Sequence, residues 1–270
     1  MLITRLVTAL FLLAAFAAGL YWLPFAWWAA ALLPLLAIGS WEWSGLAAFG
    51  RNQRLLFTGI VLASALLLGF AEPHLDPLFR ANVDRLIYAA SCAFWLLIVV
   101  PWLVLGWRGR APFVMGAAGW IVLVPAWLAL SQLQANPGKL LAVLGILWIS
   151  DTAAYLAGTV WGKHKLAPRI SPGKTWEGLA GAAAGVAVYY VALSIAIPEW
   201  SWWKGFDGVI LFAGVAVAGV LGDLFESWIK RQAGAKDSGT LLPGHGGVLD
   251  RVDSMTSGLP VAALLLPYAG

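Results

Sequence analysis

The sequence predicts an all-α, polytopic integral membrane protein of about nine transmembrane helices with its N-terminus cytoplasmic. Three observations carry that prediction. Residues of the hydrophobic set make up 61% of the 270-residue chain, and mean hydropathy is +0.82. Charged residues are 11%, against about 25% in soluble domains, so too few charges exist to cover a soluble surface. Lys and Arg also alternate in density from one connection to the next. With the N-terminus inside, the inner segments hold Arg5, Arg51, Arg54, Arg108, Arg110, Lys163, Lys165, Arg169, Lys174, Lys230, Arg231, Lys236 and Arg251. The outer ones hold only Arg80, Arg85, Lys139 and Lys204, a positive-inside pattern. The net charge of +4 is thereby explained by topology, without nucleic acid. The single Cys92 lies in an apolar run and excludes an intramolecular disulfide.

Apolar runs of spanning length fall at roughly 5–23, 25–41, 55–71, 86–105, 112–131, 139–160, 179–197, 207–224 and 255–269. Arg5 precedes the first, and Pro24 leads directly into the second. The first also has the outline of a cleaved leader, with small residues at Ala15 and Ala17, but no polar mature start follows it. Trp22, Trp27, Trp28, Trp41, Trp43, Trp107, Trp200, Trp202 and Trp203 sit near span ends and read as interfacial anchors. Rows of small residues at four-residue spacing, Gly178–Ala182–Val186 and Gly214–Ala218–Gly222, suit close helix packing. With nine spans the C-terminus lies outside.

Polar chemistry collects in two inner segments of the C-terminal half, 160–178 and 223–254. The sequence therefore divides into membrane scaffold, residues 1–111, and a catalytic membrane region, residues 112–270. Asp223, Glu226, Asp237, Asp250 and Asp253 are five of the 13 acidic residues and fall within one stretch. Asp151 stands alone in an apolar run, twelve residues before Lys163, or about 18 Å along a helix. An ionisable group at that depth is costly and is expected to face a bundle interior or wet cavity. Asp151, Tyr155, Gly158 and Gly162 share one helix face. Apart from Asp151 the spans look nearly charge-free, which argues against a polytopic transporter.

Soluble-type catalytic signatures fail. Gly173-Lys174-Thr175 ends like a phosphate-binding loop, but Pro168 stands where that loop needs glycine. His74, His164 and His245 are too scattered for a zinc site, and no GxSxG elbow occurs. What remains is carboxylates beside cations. Asp250 and Asp253 would project from one helix face, just after the sharply turning Gly244-His245-Gly246-Gly247. Such carboxylates, with Asp223, Lys230, Arg231, Lys236 and Arg251, suit the binding of Mg²⁺ and a polyphosphate. A solvated, salt-bridged loop would use the same residue types.

Ser227 to Asp253 reads SWIKRQAGAKDSGTLLPGHGGVLDRVD. The order Ser, Lys230-Arg231, Lys236-Asp237, His245-Gly246-Gly247 and Asp250-Arg251-x-Asp253 resembles the signature of the phosphatidate cytidylyltransferase family. Upstream, Asp151, Tyr155, Gly162-Lys163, Ser171-Pro172, Lys174 and Glu177-Gly178 are similar as well. The resemblance implies a reaction: CTP and phosphatidate give CDP-diacylglycerol and pyrophosphate, with Mg²⁺ and room for a second cation. It implies Asp223 and Asp250 as metal ligands, with Asp253, Lys236 and Asp237 in the catalytic set. Lys230, Arg231 and Arg251 would contact phosphates. Ser227, Lys163, Ser171, Lys174 and Glu177 would belong to the same pocket. His245 either contacts phosphate or shapes the glycine turn, and Asp151 either helps a second cation or lines the lipid path. The implied partners are CTP, phosphatidic acid and the bilayer, with no nucleic acid, and a homo-oligomer stays open. The implied location is a bacterial-type inner membrane, active site toward the cytoplasm. A kinase acting on another lipid would use the same residue types. A CDP-alcohol phosphotransferase is disfavoured, because its DGxxAR run is absent.

Overall fold

A computed structural model describes residues 14–70, 76–109, 111–197, 205–241 and 246–266. Nearly all of these are helical, and seven helices are long and apolar enough to cross a membrane. The protein is an all-α polytopic membrane protein.

After a short helix α1 (14–22), α2 spans Phe25–Leu46 and α3 Arg51–Phe70. A continuous rod follows, made of α4 (Pro77–Ala93), a π-helical stretch Phe94–Val99 and α5 (Val100–Leu105). Pro101 lies in it and carries no N–H for the carbonyl four residues back, a disturbance that the wider π-turns just upstream absorb. Then come α6 (Pro112–Gln132), α7 (Pro137–Trp161), α8 (Trp176–Ala196), α9 (Gly205–Gln232) and α10 (Leu249–Leu265). Sequence signals set several starts. Asp76 and Asn136 cap α4 and α7 with their side chains, each followed by proline at the first helical position. Thr175 Oγ1 accepts from Gly178 N and opens α8.

The second to eighth expected spans match these helices. Of the first, 5–13 lies outside the described residues and 14–22 forms α1. The ninth is a 17-residue helix that starts at Leu249, not 255, and so carries Asp250 and Asp253. Boundaries moved where polar residues sit on helices. The eighth span ends at Gln232, not at 224, so Asp223, Glu226, Ser227, Lys230 and Arg231 are helical. The segment 160–178, expected as a loop, folds partly into a hairpin: β1 (Lys165–Ala167) pairs antiparallel with β2 (Ser171–Thr175), Lys165 opposite Thr175 and Ala167 opposite Ser171.

The tryptophan expectation divides. Trp22 and Trp27 are exposed, as anchors should be, and Trp41 and Trp107 are partly so. Trp28 and Trp43 are buried, at 3% and 1% exposure, and donate Nε1–H to Leu130 O and Met115 O. They pack the core, because an indole with a carbonyl partner can be buried whole. Trp200, Trp202 and Trp203 lie outside the described residues. Trp43 joins Phe94, Trp95 and Trp102 around Phe225, which ties α2 and the α4–α5 rod to α9.

Small residues bring the helices close where the site forms. A Cβ on Gly222 of α9 would collide with the Asp253 carbonyl and the Ser257 hydroxyl of α10. A Cβ on Gly178 of α8 would crowd the Ala154 carbonyl of α7, and one on Gly181 would collide with the Ala157 methyl.

Candidate active site

The end of α9, the start of α10, strand β2 and the middle of α7 meet in one corner. Asp223 and Lys230 both lie on α9, on turns one and three past Gly222. Lys174 Nζ reaches from β2 to 2.7 Å from Asp223 Oδ2, and Ser227 Oγ donates to Asp223 Oδ1 at 3.3 Å. Asp151 of α7 joins through Ser254, whose Oγ donates to Asp151 Oδ2 at 3.4 Å. Asp253 lies between, close enough to Asp223 and Asp151 for their charges to act on it.

A second knot surrounds Asp250. Lys230 Nζ donates to Asp250 Oδ1 at 2.6 Å and lies 3.4 Å from Glu226 Oε1. Gly247 N and Ser238 N both donate to Asp250 Oδ2 at 2.8 Å. Lys230 and these two N–H donors thus hold the Asp250 carboxylate from both of its oxygens. Gly246, at φ +83°, lets the chain turn under this carboxylate, since a Cβ there would sit 2.7 Å from Oδ2.

Two carboxylates of this corner were not anticipated. Glu42 of α2, in the supposed scaffold, is 7% exposed. It accepts Val248 N at 3.0 Å and Leu249 N at 2.9 Å, capping α10 from another helix. Ser238 Oγ lies 2.9 Å from Asp250 Oδ2 and 3.1 Å from Glu42 Oε2, able to donate to one at a time. The expected second span stops at 41, which hid Glu42; as the first acid of the chain, inside an apolar run, it carried the signal. Glu226 is buried, and neither of its oxygens has a hydrogen-bond partner. The expectation of nearly charge-free spans is corrected by Glu42, and also by the buried Asp84 of α4.

Other expected residues lie around or away from the corner. Glu177 binds His164 instead, with Nδ1 2.6 Å from Oε1 and the His164 N–H also donating to it. Lys163 is exposed just past α7, and Ser171 begins β2. Lys236 and Asp237 are exposed in the connection before α10, Arg251 is exposed on its first turn, and Arg231 is exposed on α9. His245 lies outside the described residues. Asp151 is exposed at the open side of the cluster.

Among the described residues no three carboxylate, histidine or cysteine side chains converge to hold a metal unaided. The donor set still fits Mg²⁺, which takes one or two carboxylates and completes its shell with phosphate oxygens and water. The buried Glu226 oxygens accept no hydrogen bond, and the Lys230 ammonium 3.4 Å away is already held by Asp250, so the corner gathers more carboxylates than cations, an excess a metal ion would relieve.

A membrane bundle whose polar corner gathers carboxylates and lysines is suited to phosphate-group chemistry, the class to which nucleotidyltransferases belong. The particular group follows from comparison with known proteins. The model of the cytidylyltransferase family matches residues 3–269, and the chain belongs to that family. It is 37% identical to the phosphatidate cytidylyltransferase of Pseudomonas aeruginosa, covering 100% of this chain and 98% of that one. It is 31% identical to that of Haemophilus influenzae over 96% of each. That of Brucella suis is 42% identical over 67% of this chain and 63% of its own.

Proposed function

We propose that the protein transfers the cytidylyl group of CTP to phosphatidate, giving CDP-diacylglycerol and pyrophosphate for phospholipid synthesis. The observation that carries this reading is the pair of lysine-gripped carboxylates, Asp223–Lys174 and Asp250–Lys230, in one corner. A phosphate oxygen of phosphatidate attacks the α-phosphorus of CTP; the bond to the β-phosphate bridge breaks, and its electron pair leaves with pyrophosphate. A phosphate monoester with a second pKa of about 6 is largely dianionic at neutral pH, so no strong protein base is needed. The chain's task is to hold two anions together and to stabilise charge moving onto the leaving group. Lys174 and Lys230 supply positive charge at two points of the corner. Mg²⁺, where bound, would be held by Asp223 and Asp250 with Asp253 beside them, and would neutralise phosphate charge. Residues 1–111 serve chiefly as scaffold, with Glu42 contributing to the site from within it. The corner faces the cytoplasm of a bacterial-type inner membrane, on the side where the Lys and Arg excess lies.

The test is direct. Purified full-length protein with Mg²⁺ converts labelled CTP to a chloroform-soluble product only when phosphatidate is added. Label that stays aqueous with folded protein sinks the assignment.

A further inference from the structure

Both oxygens of Asp250 are already engaged. Oδ2 lies within hydrogen-bond distance of three donors, Gly247 N and Ser238 N at 2.8 Å and Ser238 Oγ at 2.9 Å. That oxygen is committed to the glycine turn, so a divalent ion has to come in at Oδ1. The Lys230 ammonium sits there at 2.6 Å. A Mg²⁺–oxygen bond of about 2.1 Å on the same oxygen would put the ion within about 4 Å of the ammonium. Two cations on one carboxylate oxygen repel each other and divide its charge. Tight metal binding at Asp250 therefore requires Lys230 to move.

A place for it lies one turn back on α9. Glu226, four residues before Lys230, presents Oε1 at 3.4 Å from Nζ. Its side chain is 7% exposed, and neither of its oxygens has a hydrogen-bond partner. Closing that gap to about 2.8 Å makes a charge-assisted hydrogen bond. Rotation about side-chain torsions covers the distance without moving the helix. The rest of the surroundings cannot satisfy Glu226. It borders a small internal cavity walled by Trp43, Trp95, Val122 and Phe225, where the other charged group is Asp253, again negative. A buried carboxylate without a hydrogen bond is costly. An ion pair kept for helix stability would close on its own lysine; this lysine is held by α10 instead.

We infer that Glu226 is a positioning residue for the metal site: when Asp250 Oδ1 binds a divalent cation, the Lys230 ammonium passes from Asp250 to Glu226. Only partners are exchanged, and Lys230 keeps its proton throughout. Asp250 trades an ammonium for a divalent ion, and Glu226 gains the hydrogen bond it lacks. Ser238 has the same choice on a smaller scale, since its hydroxyl can turn from Asp250 Oδ2 to Glu42 Oε2 at 3.1 Å. The inference rests on Asp250 being a metal ligand, as proposed above.

The test measures Mn²⁺ binding to the purified full-length chain in neutral detergent, without nucleotide or lipid, by the loss of the free-ion paramagnetic resonance signal. Glu226→Gln should weaken binding at least about tenfold, as expected of a residue that acts on a metal through its ligand. Lys230→Met should bind at least as tightly as the wild type, because the competing cation is gone. In the Lys230→Met background, Glu226→Gln should cost about threefold or less. A Glu226 that touched the ion, or acted by its charge alone, would cost the same in both backgrounds. Equal losses overturn the inference, as does unchanged affinity in Glu226→Gln. Gel filtration and the helical circular dichroism signal check each fold, and Lys230→Gln replaces Lys230→Met if the latter does not fold. If the wild type binds no Mn²⁺, or Asp250→Asn binds it equally well, the metal reading falls and the inference with it. Binding lost in Asp250→Asn together with equal losses at Glu226 overturns the inference alone.

Discussion

Two polar clusters in this molecule have opposite characters. In the first, on α4 and α6, Asp84 accepts Gln132 Nε2–H at 2.8 Å and lies 3.5 Å from Arg80, while Tyr88 OH donates to Gln132 Oε1 at 2.7 Å. One carboxylate meets one cation and one amide, so charge is balanced there. In the second, Glu42, Asp151, Asp223, Glu226, Asp250 and Asp253 gather around two lysines, Lys174 on Asp223 and Lys230 shared between Asp250 and Glu226. A charge-balanced network holds helices together. One with surplus carboxylates is left waiting for a positive partner, and this is the mark of a site.

The sharpest way to break that contrast is Asp250→Asn. Turnover should fall at least about a hundredfold while the protein still inserts and elutes as a folded species. Wild-type turnover would remove Asp250 from the metal site. Glu42→Gln comes next. The amide cannot accept both Val248 N–H and Leu249 N–H as the carboxylate does, so the first turn of α10 loosens. Activity or Mg²⁺ affinity should drop about 10- to 100-fold, read as a shifted Mg²⁺ activation curve, although Glu42 touches no substrate. An unshifted curve would reduce Glu42 to a packing residue.

The smallest effect belongs to the charge-balanced cluster. Asp84→Ala strands the Gln132 amide and should cost about 1–3 kcal/mol of stability, with kcat and both KM values close to wild type. A large loss of kcat there would erase the distinction between the clusters.

Much of this was legible in the chain. Apolar runs located seven helices because a span must bury or shed its whole circumference to lipid, and composition records that directly. The signature between Ser227 and Asp253 located the corner. Helix ends were less legible where charge and helix coincide: Glu42 and Asp223 both fall where an apolar count stops, although backbone hydrogen bonding continues. The pairing of Glu177 with His164, and of Lys174 with Asp223, depended on the short hairpin, whose five-residue strand reads as a loop. Burial of Trp28 and Trp43 depended on carbonyl partners 102 and 72 residues away, which no local pattern reveals.

The Glu42 cap also bears on the order of synthesis. Its partner Leu249 lies 207 residues later in the chain. At about 5–20 residues per second, α2 enters the membrane roughly 10 to 40 s before the first turn of α10 emerges. Over that interval the Asp250 knot cannot form, and a nascent or truncated chain displays Lys174, Asp223 and Lys230 without the residues that organise them. Helix α10 thus completes a site begun at α2, and that site cannot assemble until Leu249 has been made.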